Sequence, residues 1–412
     1  MNILVVGGGG REAALVDKIS KSPRCPHIFC APGNAGIAQR ATLVPIAADQ
    51  IERLLSFAKE NRIDLTVVGP EIPLSLGIVD RFLEEGLRIF GPRAKAAQIE
   101  SSKAFSKQLM QKYGIPTPQA DVMSITDAYE RIKTVTMPIV LKMDGLALGK
   151  GVVIAKDIKE AEIALDEFGK KDKTGTVLLE RFLTGIEATF LVIADGEVGL
   201  PLSTAQDYKR IFDGNLGPNT GGMGAISPSP VMTPNRVEEI MRRVVHPTLK
   251  GMVQEGMPYQ GILYVGLILT DEGPFVLEFN ARLGDPEAQA VLPRLKTDWI
   301  DLMEAVIAHR IDRLKLEWSD DVAVCVVAAS EGYPGDYQSG ETILGLDGID
   351  DPNLILFHAG TKRFEDRYLT HGGRVLSFTA LGKDWHEARE RAYRAIDKVS
   401  FRGMQYRKDI GK

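Results

Sequence analysis

The sequence predicts an α/β protein, α+β overall, that opens on a doubly wound parallel sheet and closes on a mainly β domain with a final helix. Residues 2 to about 92 repeat a near-continuous apolar strand, a glycine or proline turn and a helical pattern, with strands expected at 3–6, 28–31, 65–68 and 87–90. Strands that are apolar on both faces and alternate with helices form parallel sheets covered on both sides. From about residue 321 the pattern turns to strands, V-A-V-C-V-V-A-A, L-I-L-F-H-A-G and R-V-L-S-F-T-A-L, before a last helix begins at Asp384 with Glu387 completing a capping box. At 412 residues the chain holds two or three domains, each with its own core.

Composition narrows the function classes. Hydrophobic residues make up 44 % and charged residues 25 %, ordinary for a globular protein. A formal net charge of -5 lacks the basic excess that announces nucleic-acid binding. No apolar run reaches membrane-spanning length, and M-N-I-L-V-V-G enters a strand without a secretory leader's signature, so a cytoplasmic location is expected. Cys25, Cys30 and Cys325 cannot build a disulfide framework and read as free thiols, and the six histidines lie singly, without metal-ligand spacing.

The first strand runs into G-G-G-G-R-E-A-A-L. Gly8, Gly10 and Ala13 satisfy G-x-G-x-x-A, but A-P-G-N-A-G at residues 31–36 stands where a dinucleotide site needs an acidic residue. A glycine loop leading into a helix N-terminus can hold one phosphate. A phosphorylated small molecule therefore fits better than NAD, with tight turns alone as the competing reading. Gly69, Pro70 and Glu71 end the next long strand at the carboxyl edge, where ligands of open sheets bind. Ser101-Ser102-Lys103 opens a capped helix through Lys112, and G-I-P-T-P stops it.

P-I-V-L-K-M-D-G-L-A-L-G-K-G-V-V-I-A then predicts a strand to Lys142, a glycine loop carrying Lys150, and a second strand at 152–155. The spacing is not that of a Walker A loop, and a flexible flap over phosphates suits it better. A short strand at 177–179 leads into Glu180, Arg181, Phe182 and Leu183, a linker that offers adenine backbone hydrogen bonds and apolar walls, with Glu187 in reach of ribose hydroxyls. After A-Q-D-Y-K-R, G-P-N-T-G-G-M-G at residues 217–224 forms a second glycine loop whose amides suit an anion beside Lys209 and Arg210. A long helix at about 234–255 and a strand at 262–269 follow. Trp299, Ile300, Met303, Val306 and Ile307 recur at helical spacing and read as core.

Everything upstream leads to E-F-N-A-R-L-G-D-P-E at residues 278–287. Regular alternation on the strand P-F-V-L-E-F-N puts Phe275, Leu277 and Phe279 on one face and Val276, Glu278 and Asn280 on the other. A carboxylate beside an amide oxygen suits a hard cation such as magnesium, which keeps phosphate oxygens as partners. Arg282 adds a planar fork for a carboxylate or phosphate. The competing reading is a salt-bridged strand end in which Glu278 pairs with Arg282 and Asn280 caps the turn.

The order of these features resembles the ATP-grasp superfamily of carboxylate-amine ligases and, within it, the phosphoribosylamine-glycine ligase family. The resemblance spans essentially the whole chain through G-G-R-E, A-P-G-N-A-G, V-V-G-P-E, S-K-A-F, D-G-L-A-x-G-K-G, Q-D-Y-K-R, G-P-N-T-G-G-M-G and E-F-N-A-R-L-G-D-P-E. It implies a substrate-binding domain at 1–100, an ATP-grasp domain at 101–320 with a small lid at about 119–184, and a C-terminal domain at 321–412. The implied reaction is phosphorylation of the glycine carboxylate by ATP, followed by attack of 5-phosphoribosylamine on the acyl phosphate, giving glycinamide ribonucleotide for purine biosynthesis. The alternative is another ATP-grasp ligase of nucleotide biosynthesis acting on a different carboxylate.

The same resemblance implies residue roles. Glu278 and Asn280 would bind magnesium, with manganese possible. The nucleotide would lie on Lys103, Lys142, Lys150, Glu180, Arg181, Phe182, Leu183, Glu187, Asn219 and Gly222. Lys150, Lys209, Arg282 and Asp285 would form the catalytic set, with the Gly221 and Gly222 amides on the oxyanion. Gly9, Gly10, Asn34, Glu71, Asp207 and Asp285 would bind the two substrates. The expected partners are small molecules, neither nucleic acid nor membrane, and the expected state is a monomer or weak homodimer. One position departs from the family pattern: Ala13 stands where a histidine usually follows G-G-R-E.

Overall fold

The computed structural model describes residues 1–25, 27–146, 151–172 and 175–412. Its first layer is a five-stranded parallel sheet in the order Thr42–Leu43, His27–Pro32, Asn2–Gly7, Leu65–Val68, Ile89–Phe90. The run I-L-V-V is buried on both faces because side chains alternate. Leu4 and Val6 join one apolar cluster with Leu54 and Phe82, while Ile3 and Val5 join another with Leu15 and Trp299. The last strand is shorter than expected, Ile89–Phe90, because Leu87 and Arg88 lie before the paired residues.

The central sheet is antiparallel, in the order Gly199–Pro201, Ile186–Gly196, Tyr259–Thr270, Gly273–Asn280. A separate sheet of Ala120–Ser124, Thr176–Arg181, Ile139–Met143 and Val152–Ala155 is backed by the helices Ile125–Arg131 and Ile158–Lys171. It has its own apolar cluster around Leu141, Leu165 and Phe168.

The expected long helix is Pro234–Ile240, a wider i→i+5 turn at Met241–Val245, and His246–Gln254. Pro247 has no N–H for the regular ladder, and the wider turn absorbs that gap. The serine-capped helix is Lys103–Lys112, with Ser102 Oγ accepting from the Phe105 amide at 3.1 Å. Ser101 ends the preceding helix, Ala94–Ser101.

The last large sheet runs Gln206–Asp207, Gly224–Ser227, Val322–Ala329, Arg374–Gly382, Leu354–His358. The helix Trp385–Ile396 packs on it, and Asp384 caps that helix at the Glu387 amide. Two of its strands come from the middle of the chain and bracket the G-P-N-T-G-G loop. That arrangement carries the C-terminal sheet into the site.

Candidate active site

Regular alternation breaks on the strand Gly273–Asn280. Gly266 faces Glu278 but Leu267 faces Val276, so Leu277 is the extra residue of a β-bulge. Val276 and Phe279 therefore both enter the core, correcting the expected split of faces. Glu278 and Asn280 stay on the open side and line a cavity of about 440 Å³. The bulge also frees the Leu277 carbonyl, which accepts from Lys142 Nζ at 2.8 Å.

The salt-bridged strand end does not form. Arg282 instead divides its fork between Glu71 Oε2 at 3.1 Å and Glu100 Oε1 at 2.9 Å. Burial works against the Arg282 charge, but Glu100 and Glu71 outweigh it and raise its pKa. Glu278 has Lys209 Nζ only at 4.0 Å, and its side chain is 40 % exposed to the cavity. Burial would raise the Glu278 pKa, but Lys209, Lys142 and Lys103 hold it below the usual range, so it stays ionised. Among the described residues the Glu278 and Asn280 side-chain oxygens have no hydrogen-bond donor. Two such oxygens on one rigid strand fit a magnesium ion that completes its shell with water and phosphate.

Lysines surround the same cavity. Lys103 Nζ donates to the Gly145 carbonyl at 2.8 Å, and Asp144 accepts from the Ala104 amide at 3.1 Å, docking the 139–146 segment onto the helix N-terminus. Lys142 pairs with Glu180 Oε2 at 2.7 Å, so the Glu180 side chain is engaged by the lysines rather than held free. Arg181, Phe182, Leu183 and Glu187 continue the rim, where Phe182, Val152 and Ile154 supply apolar walls. Lys150 lies outside the described residues. Lys209 stands 3.9 Å from Glu187, and Tyr264, Glu278, Glu187 and Asp207 overcome burial to raise its pKa. Asp207 is pushed the same way by burial and Glu287, well above the usual carboxylate range.

A second cavity of about 290 Å³ shares lining residues with the first. Gly9, Gly10 and Asn34 line one wall, and Gly360, Thr361 and His371 of the C-terminal part line the other. Asp285 and Arg374 face both cavities. The Asn34 side chain is fully used in joining loops: Nδ2 donates to the Gly8 and His358 carbonyls at 3.0 and 2.8 Å, and Oδ1 accepts from the Gly36 and Ile37 amides. Likewise the Gly9 amide donates to Glu12, the Gly221 amide to the Tyr333 hydroxyl at 2.9 Å, and the Gly222 amide to Thr220 Oγ1 at 2.9 Å. Asn219 lines the rim of the larger cavity. Ala13 packs in an apolar cluster with Ala288 and Val291.

Sequence reasoning missed Lys107, Glu100 and Arg374. The first two read as ordinary helix-surface charges, and Arg374 opens a strand 89 positions beyond Asp285. No local motif marks any of them.

The comparisons agree along the whole chain. The N domain of phosphoribosylglycinamide synthetase matches residues 1–100, its ATP-grasp (A) domain residues 101–288, and its C domain residues 323–412. A phosphoribosylamine-glycine ligase of Caldanaerobacter subterraneus subsp. tengcongensis is 50 % identical, with 100 % of this chain and 99 % of that protein covered. One of Allochromatium vinosum is 47 % identical, covering 100 % and 98 %. The crystal structure of phosphoribosylamine-glycine ligase from Thermotoga maritima superposes with a TM-score of 0.85 at 33 % identity, covering 99 % and 100 %. The biotin carboxylase domain of a Hydrogenobacter thermophilus 2-oxoglutarate carboxylase, at 19 % identity and a TM-score of 0.75, shares the fold over 98 % of this chain and 91 % of that one.

Fold and site together define an ATP-grasp enzyme, a ligase that uses ATP. More particularly, the chain belongs to the phosphoribosylglycinamide synthetase family.

Proposed function

We propose that this chain joins glycine to 5-phosphoribosylamine at the expense of ATP, forming glycinamide ribonucleotide, ADP and phosphate for purine biosynthesis. The observation that carries the reading is the pair of cavities sharing Asp285 and Arg374, one lysine-rich beside Glu278 and Asn280, the other floored by the N-terminal glycine loop. Such a pair suits a reaction with two halves. A carboxylate is a poor electrophile because its leaving group would be oxide, and phosphorylation supplies a better one.

In this reading Glu278 and Asn280 hold magnesium, which neutralises phosphoryl charge when bound; manganese would suit the same oxygens. Lys103 and Lys142 bind the nucleotide phosphates, and the 180–183 segment with Glu187 takes the nucleoside. Lys150 and Lys209 add positive charge at the transferring group. Glycine lies near Arg282, Asp207 and Asp285. Phosphoribosylamine occupies the second cavity, its phosphate at the Gly10 amide, since the Gly9 amide is held by Glu12, and its ribose towards Glu71 in the larger cavity. Closure of a lid at about 119–184 excludes water from the acyl phosphate. The substrate-binding part is 1–100, the ATP-grasp part 101–320 and the C-terminal part 321–412. Among the described residues no helix is long and apolar enough to cross a membrane. A cytoplasmic monomer or weak homodimer acting on small molecules fits this chemistry.

The test is phosphate release from ATP and magnesium with glycine and freshly generated phosphoribosylamine each present or omitted. Release that requires both supports the reading, whereas release driven by another carboxylate or amine replaces it.

A further inference from the structure

Lys107 has no place in the chemistry above, yet it is only 1 % exposed. Its Nζ lies 3.0 Å from Glu180 Oε1 and donates to Thr117 Oγ1 at 2.6 Å and the Pro118 carbonyl at 3.1 Å. The other Glu180 oxygen, Oε2, holds Lys142 at 2.7 Å. Three ionisable groups thus share one buried cluster, two cations on a single anion, with a net charge of +1. Burial works against the Lys107 charge, and Glu180 offsets part of that penalty. A buried cluster with one cation in excess costs stability that the single anion only partly offsets.

A role for the excess cation follows from counting. With Lys107 removed, Lys142 and Glu180 would form a neutral pair, and a neutral pair attracts phosphate weakly. We propose that Lys107 is a positioning residue whose charge occupies one oxygen of Glu180, so that Lys142 keeps a net attraction for the nucleotide phosphates. The same bonds fix the direction of Lys142, because Glu180 is held from behind by Lys107 while the Leu277 carbonyl holds Lys142 from the metal strand. This deepens the nucleotide reading of the larger cavity and rests on it.

The experiment compares calorimetric binding of ADP with magnesium, and of adenosine, to the full chain and to Lys107→Met. ADP should weaken about tenfold, as expected for one partly screened charge, and adenosine by less than about twofold. The double variant Lys107→Met with Glu180→Gln restores the net charge of +1 but not the bonds that aim Lys142, so it should regain part of the lost ADP affinity, and no regain at all would overturn the charge argument. Equal losses for ADP and adenosine, or no loss for either, would overturn the proposal, because a packing role does not distinguish a phosphate-bearing ligand. Should Lys107→Met fail to give a cooperative thermal transition, Lys107→Gln makes the same charge change with a polar head for Thr117, and the same comparison decides. A wild-type chain that binds neither ligand would instead remove the nucleotide reading beneath it.

Discussion

Arg374 Nη2 lies 3.3 Å from Asp285 Oδ1, while Nη1 of the same guanidinium donates to the Gly221 carbonyl at 2.6 Å and to the Asp285 carbonyl. One side chain from the C-terminal sheet thus ties the loop after the strand Gly273–Asn280 to the second glycine loop. Burial would raise the Asp285 pKa, but Arg374 and Arg11 hold it below the usual carboxylate range. The planar fork makes this junction, which a lysine cannot span. Arg374→Ala should lower kcat/KM for phosphoribosylamine about a hundredfold, with less than about a threefold change in the KM for ATP, and Arg374→Lys should recover little. An equal rise in the KM for ATP would place Arg374 in general folding instead.

Glu278 and Asn280 were legible in the sequence because both belong to one short strand, where spacing alone sets their neighbourhood. The bulge at Leu277 was not, since nothing in P-F-V-L-E-F-N marks the residue left unpaired. The parallel sheet was legible for a similar reason: I-L-V-V and L-T-V-V are apolar on both faces. Arg374 was hidden because its partners, Gly221 and Asp285, sit in loops far away in sequence, and only the joining of Gln206–Asp207 and Gly224–Ser227 to Val322–Ala329 and Arg374–Gly382 brings the C-terminal strand beside them. Lys107 follows Lys103 by one helical turn in K-A-F-S-K and looks like a solvated face; the 117–118 segment and the strand Thr176–Arg181 close over it from elsewhere in the chain.

Replacing Glu278 by Gln removes one negative charge while keeping shape. Among the described residues its only cation neighbour in the salt-bridge range is Lys209 at 4.0 Å, but Lys142 and Lys103 also favour the charge, so stability should fall modestly, by about 1 kcal/mol or less. Turnover should fall by about 10² or more, because the charge that would hold magnesium beside the phosphates is lost. Titrating magnesium against ADP-dependent thermal protection checks it: the midpoint should move to higher magnesium in the variant. Wild-type turnover at low magnesium would show that Glu278 carries no metal role.

The pH dependence of stability should contain a contribution from His358. Burial lowers its pKa from 6.5 to about 4, and its Nδ1 lies 3.0 Å from Thr361 Oγ1. The unfolded chain therefore binds this proton more tightly than the folded chain, so stability is lost as pH falls from about 6.5 to about 4 and is flat in this group below that. The full effect is about 3 kcal/mol, since each tenfold difference in proton affinity between the two states contributes roughly 1.4 kcal/mol. Urea midpoints measured across that window for wild type and His358→Gln should show a shallower slope in the variant. Parallel slopes would mean that His358 titrates alike in both states.

Gly222 tests how tightly the second glycine loop is built. Its φ is +115°, and a Cβ there would lie 2.3 Å from Pro286 Cδ and 2.6 Å from Asp207 Oδ1. Pro286 is a rigid ring beside Asp285, and Asp207 Oδ1 is buried, so packing leaves it little room to move aside. Alanine at this position must strain the backbone and push Asp207 and Asp285 away from their present places, at a cost of about 1–3 kcal/mol in stability. Activity should suffer more, by about 10² in kcat, because a displacement of an ångström at reacting groups is enough for that. Gly145 is the control, since its φ is +90° but a Cβ there meets nothing within 4 Å. Gly145→Ala incurs backbone strain alone and should keep turnover within about tenfold of wild type. If both variants lose activity alike, strain rather than the crowding of Asp207 and Pro286 governs the loop, and the steric argument for Gly222 fails.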